Sequence, residues 1–179
     1  LSLGMTSTGE YCDFEFEKAM DTDEIVDRLN AVMNEGVTVF RAARLSQEAK
    51  SAMAELGACE YEAYLHELMP AEGLAEKIAG FLAQKEIIVM KKTKNHLKET
   101  DIRPDIYSIE DISKDGKAAI KLVLAAGSIQ SLRADLTVET FCKYAGAEFN
   151  KYKVRYNRTE MYRVLDGKFV PLDKEVAEG

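Results

Sequence analysis

The chain has 179 residues, 46% of them hydrophobic and 31% charged, with a formal net charge of −7. That length supports one sizeable core or two small ones, and the acidic balance argues against indiscriminate nucleic-acid binding. No apolar run reaches the roughly 18–20 residues of a membrane-spanning helix and no secretory signal is present, so a cytoplasmic protein is expected.

From Glu10 to Glu17, Cys12, Phe14 and Phe16 alternate with Asp13, Glu15 and Glu17, the period of a strand with one wet face. Asp21 is placed as an N-cap, with Glu24 three residues on completing a capping box. Ile25, Leu29, Val32 and Met33 share one helical face, and Gly36 stops that helix. Val37 to Leu45 reads as a strand, and Gln47 to Leu56 as a short helix before Gly57.

Cys59, Tyr61, Ala63 and Leu65 alternate with Glu60, Glu62, Tyr64 and His66, again a strand with one wet face. Pro70 opens a predicted helix that turns Leu74, Ile78, Phe81 and Leu82 inward. Ile87 to Met90 reads as a buried strand running into a lysine-rich stretch. Ile120 to Ala126 is a further strand, and Asp135 caps a helix bearing Leu136, Phe141 and Tyr144 that Gly146 closes. Tyr152 to Tyr156 and Met161 to Leu165 are strands, the second turning at Asp166-Gly167 into Phe169 to Leu172.

From Ala58 to Arg158 the element order is βαβ–βαβ, that of a ferredoxin-like sandwich with helices on one face of an antiparallel sheet. The expected fold class is α+β with tandem ferredoxin-like (βαββαβ) sandwiches. Residues 1–57 supply only one βαβ unit, the second half of an N-terminal subdomain whose first half is expected upstream. Residues 58–179 form the C-terminal subdomain with a terminal hairpin.

Charge is unevenly spread. Residues 1–85 carry 16 acids and 7 bases, a net of −9, whereas residues 91–163 carry 10 acids and 15 bases, a net of +5. Lys91, Lys92, Lys94, Lys98 and Arg103 cluster in one stretch, and closely spaced cations of this kind await an anion such as a phosphate backbone. The competing reading is a solvated loop that keeps a sheet edge from pairing, with Arg103 paired to Asp101 or Asp105. Gly127 to Arg133 is a small-residue turn before a helix, where backbone N–H groups can hold an anion; an ordinary connection is the alternative. Lys151, Lys153 and Arg155 share one face of a predicted strand, with Tyr152, Val154 and Tyr156 on the other. The RNA- or anion-binding candidates are therefore Lys91, Lys92, Lys94, Lys98, Arg103, Arg133, Lys153, Arg155 and Arg158.

Other chemistry has little support. Cys12, Cys59 and Cys142 lie far apart without metal- or cluster-binding spacing, and read as buried reduced thiols. His66 and His96 have no HxxxH or HExxH partner, and no P-loop, GxSxG or GxGxxG occurs. No catalytic residue, metal or cofactor is assigned to this chain.

Four ordered segments carry a family resemblance: Leu1-Ser2-Leu3-Gly4 with Gly9-Glu10-Tyr11-Cys12-Asp13, then Lys92 with Asp101-Ile102-Arg103-Pro104, then Gly127-Ser128 with Leu132-Arg133-Ala134-Asp135, then Arg158-Thr159-Glu160-Met161-Tyr162. Together they resemble the radical-SAM-linked (radical-SAM-associated) family of unknown function, which tends to have Pro where this chain has Ala134. The resemblance implies a cytoplasmic bacterial protein encoded beside, or fused to, a radical SAM protein, often near an RNA-processing ribonuclease and ribosomal protein genes. It also implies a longer pattern that begins before Leu1. Three functions follow as expectations: a non-catalytic accessory that positions RNA or a ribonucleoprotein for a radical SAM partner, a protein–protein adaptor without nucleic-acid contact, or an unrecognised RNA-modifying enzyme.

Overall fold

The computed structural model describes residues 4–92, 97–128 and 130–173, with the backbone alone of Lys92. The described residues form a mixed α+β fold with eight strands and four helices. Met5–Ser7 (β1), helix Thr22–Asn30 (α1) and helix Ala52–Glu55 (α2) precede strand Ala58–Tyr64 (β2) and helix Leu74–Leu82 (α3). Strands Ile88–Lys92 (β3), Leu97–Asp101 (β4), Ile106–Asp111 (β5) and Ala119–Ala125 (β6) follow, then helix Ala134–Tyr144 (α4) and the hairpin strands Arg155–Leu165 (β7) and Lys168–Pro171 (β8). No helix among the described residues is long and apolar enough to cross a membrane.

The main sheet has the strand order β1-β7-β2-β6-β5, with β8 also on β7, while β3 and β4 form a separate two-stranded arm. β2 pairs antiparallel with β6 on one side and β7 on the other. The alternation in β2 explains its central place. Cys59, Tyr61 and Ala63 enter the same core as Ile120, Leu122 and Leu124 of β6, and Glu60 and Glu62 stay half-buried. Helices α3 and α4 cover that core through Leu74, Ile78 and Phe81 and through Val138, Phe141 and Cys142. The Phe81 and Phe141 rings meet edge-on at 5.4 Å, an arrangement favoured by the aromatic quadrupole.

The upstream region is built differently. Asp21 caps α1 as expected, its carboxylate accepting the Asp23 and Glu24 N–H groups, yet α1 has no buried residue. Neither expected strand forms: residues 9–20 and 38–45 enter no ladder and no backbone–backbone hydrogen bond among the described residues. The reason is a missing neighbour. The free edge of β7 is occupied by β1 along Tyr156–Arg158 and by β8 along Tyr162–Leu165. The expected helix Gln47–Leu56 contracts to Ala52–Glu55, capped by Ser51.

Other boundaries also move. The strand that lies beside β6 is β5, absent from the sequence reading, and not Ile87–Met90. Because β5 holds that edge, the expected buried strand pairs instead with β4 in the arm, and Ile88 and Met90 are more than half exposed. Pro70 makes an isolated bridge to Lys117, and α3 starts only after Gly73, at φ +69. The residue at the N-cap of α4 is Arg133 rather than Asp135. Lys151–Lys153 is a 3-10 turn with Tyr152 exposed, so these residues do not share a strand face with Arg155. β7 is one continuous strand with a bulge opposite Glu60/Tyr61. The Asp166-Gly167 turn forms as expected, both residues having positive φ.

Candidate functional site

Three of the candidate cations, Lys91, Lys98 and Arg133, lie near the end of the sheet where β6 leads into α4. β6 ends at Ala125, and the chain crosses over Leu56 before entering α4. Gly127 is required at that crossing: its φ is +149, and a Cβ there would stand 2.6 Å from the Leu56 carbonyl oxygen. Leu132 is buried behind the loop and its N–H donates to the Ala125 carbonyl. The loop therefore presents Ser128, Gln130, Ser131 and Arg133 at the surface.

The β3–β4 arm leans onto this loop. Ile87 anchors its base in the core, its N–H donating to Asp101 Oδ1 at 2.8 Å. Further out, Lys91 directs its ammonium to the Ser131 carbonyl at 3.5 Å. Lys98 is its direct cross-strand partner, and directly opposed residues project from the same face of a ribbon. Lys91, Lys98 and Arg133 thus border one loop. Arg133 is paired with the Asp135 carboxylate, and that hydrogen bond raises its pKa further.

Below the loop, Gln130 donates its amide to Asp105, a carboxylate that is 5% exposed. A buried carboxylate needs such a donor to offset lost hydration. Arg103 belongs to the same turn, but its guanidinium points inward: Nε donates to the Leu82 carbonyl and Nη1 to the Ile106 carbonyl, each at 3.0 Å. Its N–H joins Ile87's on Asp101 Oδ1 at 2.9 Å. Arg103 thereby ties the end of α3 to the start of β5, instead of facing an external anion with its whole fork.

The remaining candidates lie elsewhere. Arg155 pairs in register with Tyr64, at the far end of β2 from Ala58. Lys153 lines a depression of about 320 Å³ together with Glu67 and Glu148. Arg158 is held by Glu10 and sits beside the Cys59 thiol and the Tyr61 phenol. Burial opposes the charge on Arg158, yet the Glu10 carboxylate holds its pKa above the ordinary value. Burial pushes the Cys59 thiol up, against the pull of Arg158, and takes Tyr61 up to about 12. Lys92 contributes only its backbone to this description, and Lys94, His96 and Leu1-Ser2-Leu3 lie outside the described residues.

Two groups have surroundings that the sequence does not reveal. Asp105 was identified only as an ion-pair partner; the signal for its burial was its position beside Ile106 and close to Ile102, both buried. Tyr156 lies under α4 with no hydrogen-bond partner for its hydroxyl among the described residues, and burial raises its pKa. Two of the segments quoted for the family resemblance meet directly, and the other two approach through neighbouring residues. Tyr11 donates to Glu160 at 3.0 Å next to the Glu10–Arg158 pair, and the Arg103–Asp105 turn meets Gln130.

A bacterial family profile, DUF2344, described as "Uncharacterized protein conserved in bacteria", matches residues 1–134. The chain belongs to this family. The DUF2344 match takes in the arm, the Arg103–Asp105 turn, the 126–133 loop and the first residue of α4, whereas Lys153, Arg155 and Arg158 fall beyond it. Comparison with curated proteins and with solved structures returns no match.

Proposed function

We propose that this protein is a non-catalytic accessory that positions an RNA or ribonucleoprotein substrate for a radical SAM partner, encoded nearby or fused. The observation that supports it best is the grouping of Lys91, Lys98 and Arg133 around the 126–133 loop. Cations held on a rigid scaffold at a sheet end suit a phosphate backbone, because loops positioned in this way commonly carry binding. The radical SAM partner rests on the sequence resemblance alone. On this reading the chain works in the cytoplasm and supplies no cofactor of its own.

The reading includes a ferredoxin-like subdomain at 58–179, supported by the order β7-β2-β6-β5 with two helices on one core. Residues 1–57 belong to a second, N-terminal subdomain. Its support is the strand–helix–strand pattern of the sequence.

The test is RNA affinity against salt. Replacing Lys91, Lys98 and Arg133 by Gln flattens the log–log salt dependence by roughly 0.7–0.9 per lost phosphate contact. The pair Lys153→Gln and Arg155→Gln leaves the slope unchanged. No RNA affinity at low salt, or an unchanged slope in the triple variant, sinks this reading and leaves the protein–protein adaptor. That second reading has its own support in the acidic surface from Asp13 to Asp27, whose carboxylates are exposed.

A further inference from the structure

Aromatic rings and carboxylates meet on the face of the main sheet turned away from α3 and α4. Glu60 and Glu62 alternate with the core residues Cys59, Tyr61 and Ala63 of β2, and so project from that opposite face. Tyr162 of β7 shares it. Its hydroxyl donates to Glu60 Oε2 at 3.3 Å, and the Thr159 hydroxyl donates to Glu60 Oε1 at 2.7 Å. The Lys121 ammonium reaches Glu60 at 4.0 Å and Glu110 at 3.4 Å. The Phe169 ring of β8 lies with its centroid 5.8 Å from that of Tyr162, and the Tyr107 ring of β5 stands 5.2 Å from Phe169. Neighbouring rings are tilted by 54° and 53°, and Tyr107 is 44% exposed and Phe169 39%. The rings therefore form a stepped ledge that is partly open to solvent.

We propose that this ledge takes an arginine side chain of a partner protein, its guanidinium lying on the Tyr107 and Phe169 rings beside the Glu60 carboxylate. Aromatic faces attract cations, and a planar, weakly hydrated guanidinium stacks on an open ring more readily than a compact, strongly hydrated ammonium. Charge favours the same occupant. Around the ledge the carboxylates of Glu60, Glu110 and Glu160 outnumber the Lys121 ammonium three to one. Burial and the Glu60 and Glu160 carboxylates together push the Tyr162 phenol up to about 12, the sign of a negative potential at the rings. A nucleobase stacked here would bring its phosphate against these carboxylates. The upstream residues reach the sheet at its other edge, through β1 on β7 and Tyr11 on Glu160, whereas Tyr107 belongs to the β5 edge. The ledge shares no residue with the lysine-bearing loop, so it is independent of RNA binding.

The test follows the aromatic ring resonances of the whole chain by NMR during titration with three probes. These are a glycine–serine peptide carrying two arginines, the same peptide with citrulline for arginine, and a hexauridylate. The arginine peptide shifts the Tyr107 and Phe169 rings saturably. Citrulline, which keeps the shape without the charge, and the oligonucleotide leave those rings unmoved. Tyr107→Leu removes the ring while keeping an apolar side chain, and weakens the arginine peptide by about two- to five-fold. Unchanged amide exchange in β2 and β6 shows that this variant is folded. Rings unmoved by the arginine peptide, equal shifts with the citrulline peptide, or undiminished affinity in Tyr107→Leu overturn the proposal. Ring shifts with the hexauridylate also overturn it, assigning the ledge to a nucleobase.

Discussion

Phe81 is fully buried between Phe141 and Tyr144, whereas Phe40 stands 76% exposed. The two residues typify the regions that hold them. Among the described residues, all the buried hydrophobic ones lie between Ala58 and Leu172, although the upstream residues have the same alternating and helical patterns. Amphipathic periodicity supplies a face able to be buried; burial itself needs an opposing layer. β2 has β6 and β7 on its edges and two helices above it, while Cys12–Glu17 has neither.

The most severe test of this contrast is truncation of the two phenylalanines. Phe81→Ala is expected to cost about 3–5 kcal/mol through lost burial and the cavity left behind, and Phe40→Ala no more than about 0.5 kcal/mol. Urea denaturation of both variants measures the difference, and comparable losses would mean that the upstream region contributes to the core.

Arg103 sharpens the boundary between folding and binding. Arg103→Ala leaves the Leu82 and Ile106 carbonyls without their donor, a loss of about 1.5–3 kcal/mol for charge-assisted bonds. Lys98→Ala, on the exposed arm, leaves the denaturation midpoint in place. An Arg103 variant of normal stability would return this residue to the binding candidates.

Cysteines give a pH-dependent version of the comparison. Cys12 is exposed, and Cys142, on the inner face of α4, is completely buried. Burial pushes the Cys142 thiol up to about 11, above the ordinary value of about 8.5. The folded chain therefore keeps a proton that the unfolded chain has already released. This stabilisation is fully present below about pH 8.5 and declines as pH rises toward about 11, by on the order of 2–3 kcal/mol. Denaturation midpoints measured from pH 8 to 11 will fall more steeply for the wild-type chain than for Cys142→Ala. Parallel profiles would exclude this thiol as the cause.

The smallest effect concerns α1. Asp21→Ala removes the cap on the Asp23 and Glu24 N–H groups, worth about 1 kcal/mol to the helix. Because α1 buries nothing, amide exchange within Thr22–Asn30 should accelerate while the global midpoint stays put. A shift of the midpoint by the same amount would join α1 to the cooperative core.

Local chemistry was legible wherever neighbouring residues decide the outcome. The Asp21 cap, the Asp166-Gly167 turn and the alternation of β2 depend on backbone groups and side chains within a few positions. Partner choice was not legible. The apolar run Ile87–Met90 and the alternation of Glu10–Glu17 both read as strands, but only the assembled sheet decides that β5 takes the edge of β6, leaving one in a free arm and the other unpaired. The lysine cluster followed the same division. Charge density along the chain marked the stretch from Lys91 to Arg103, but a guanidinium's partners depend on groups distant in sequence. Tertiary packing turned Arg103 toward Leu82 and Ile106 and brought Lys91 to Ser131, because burial and hydrogen bonding are decided by what folds alongside.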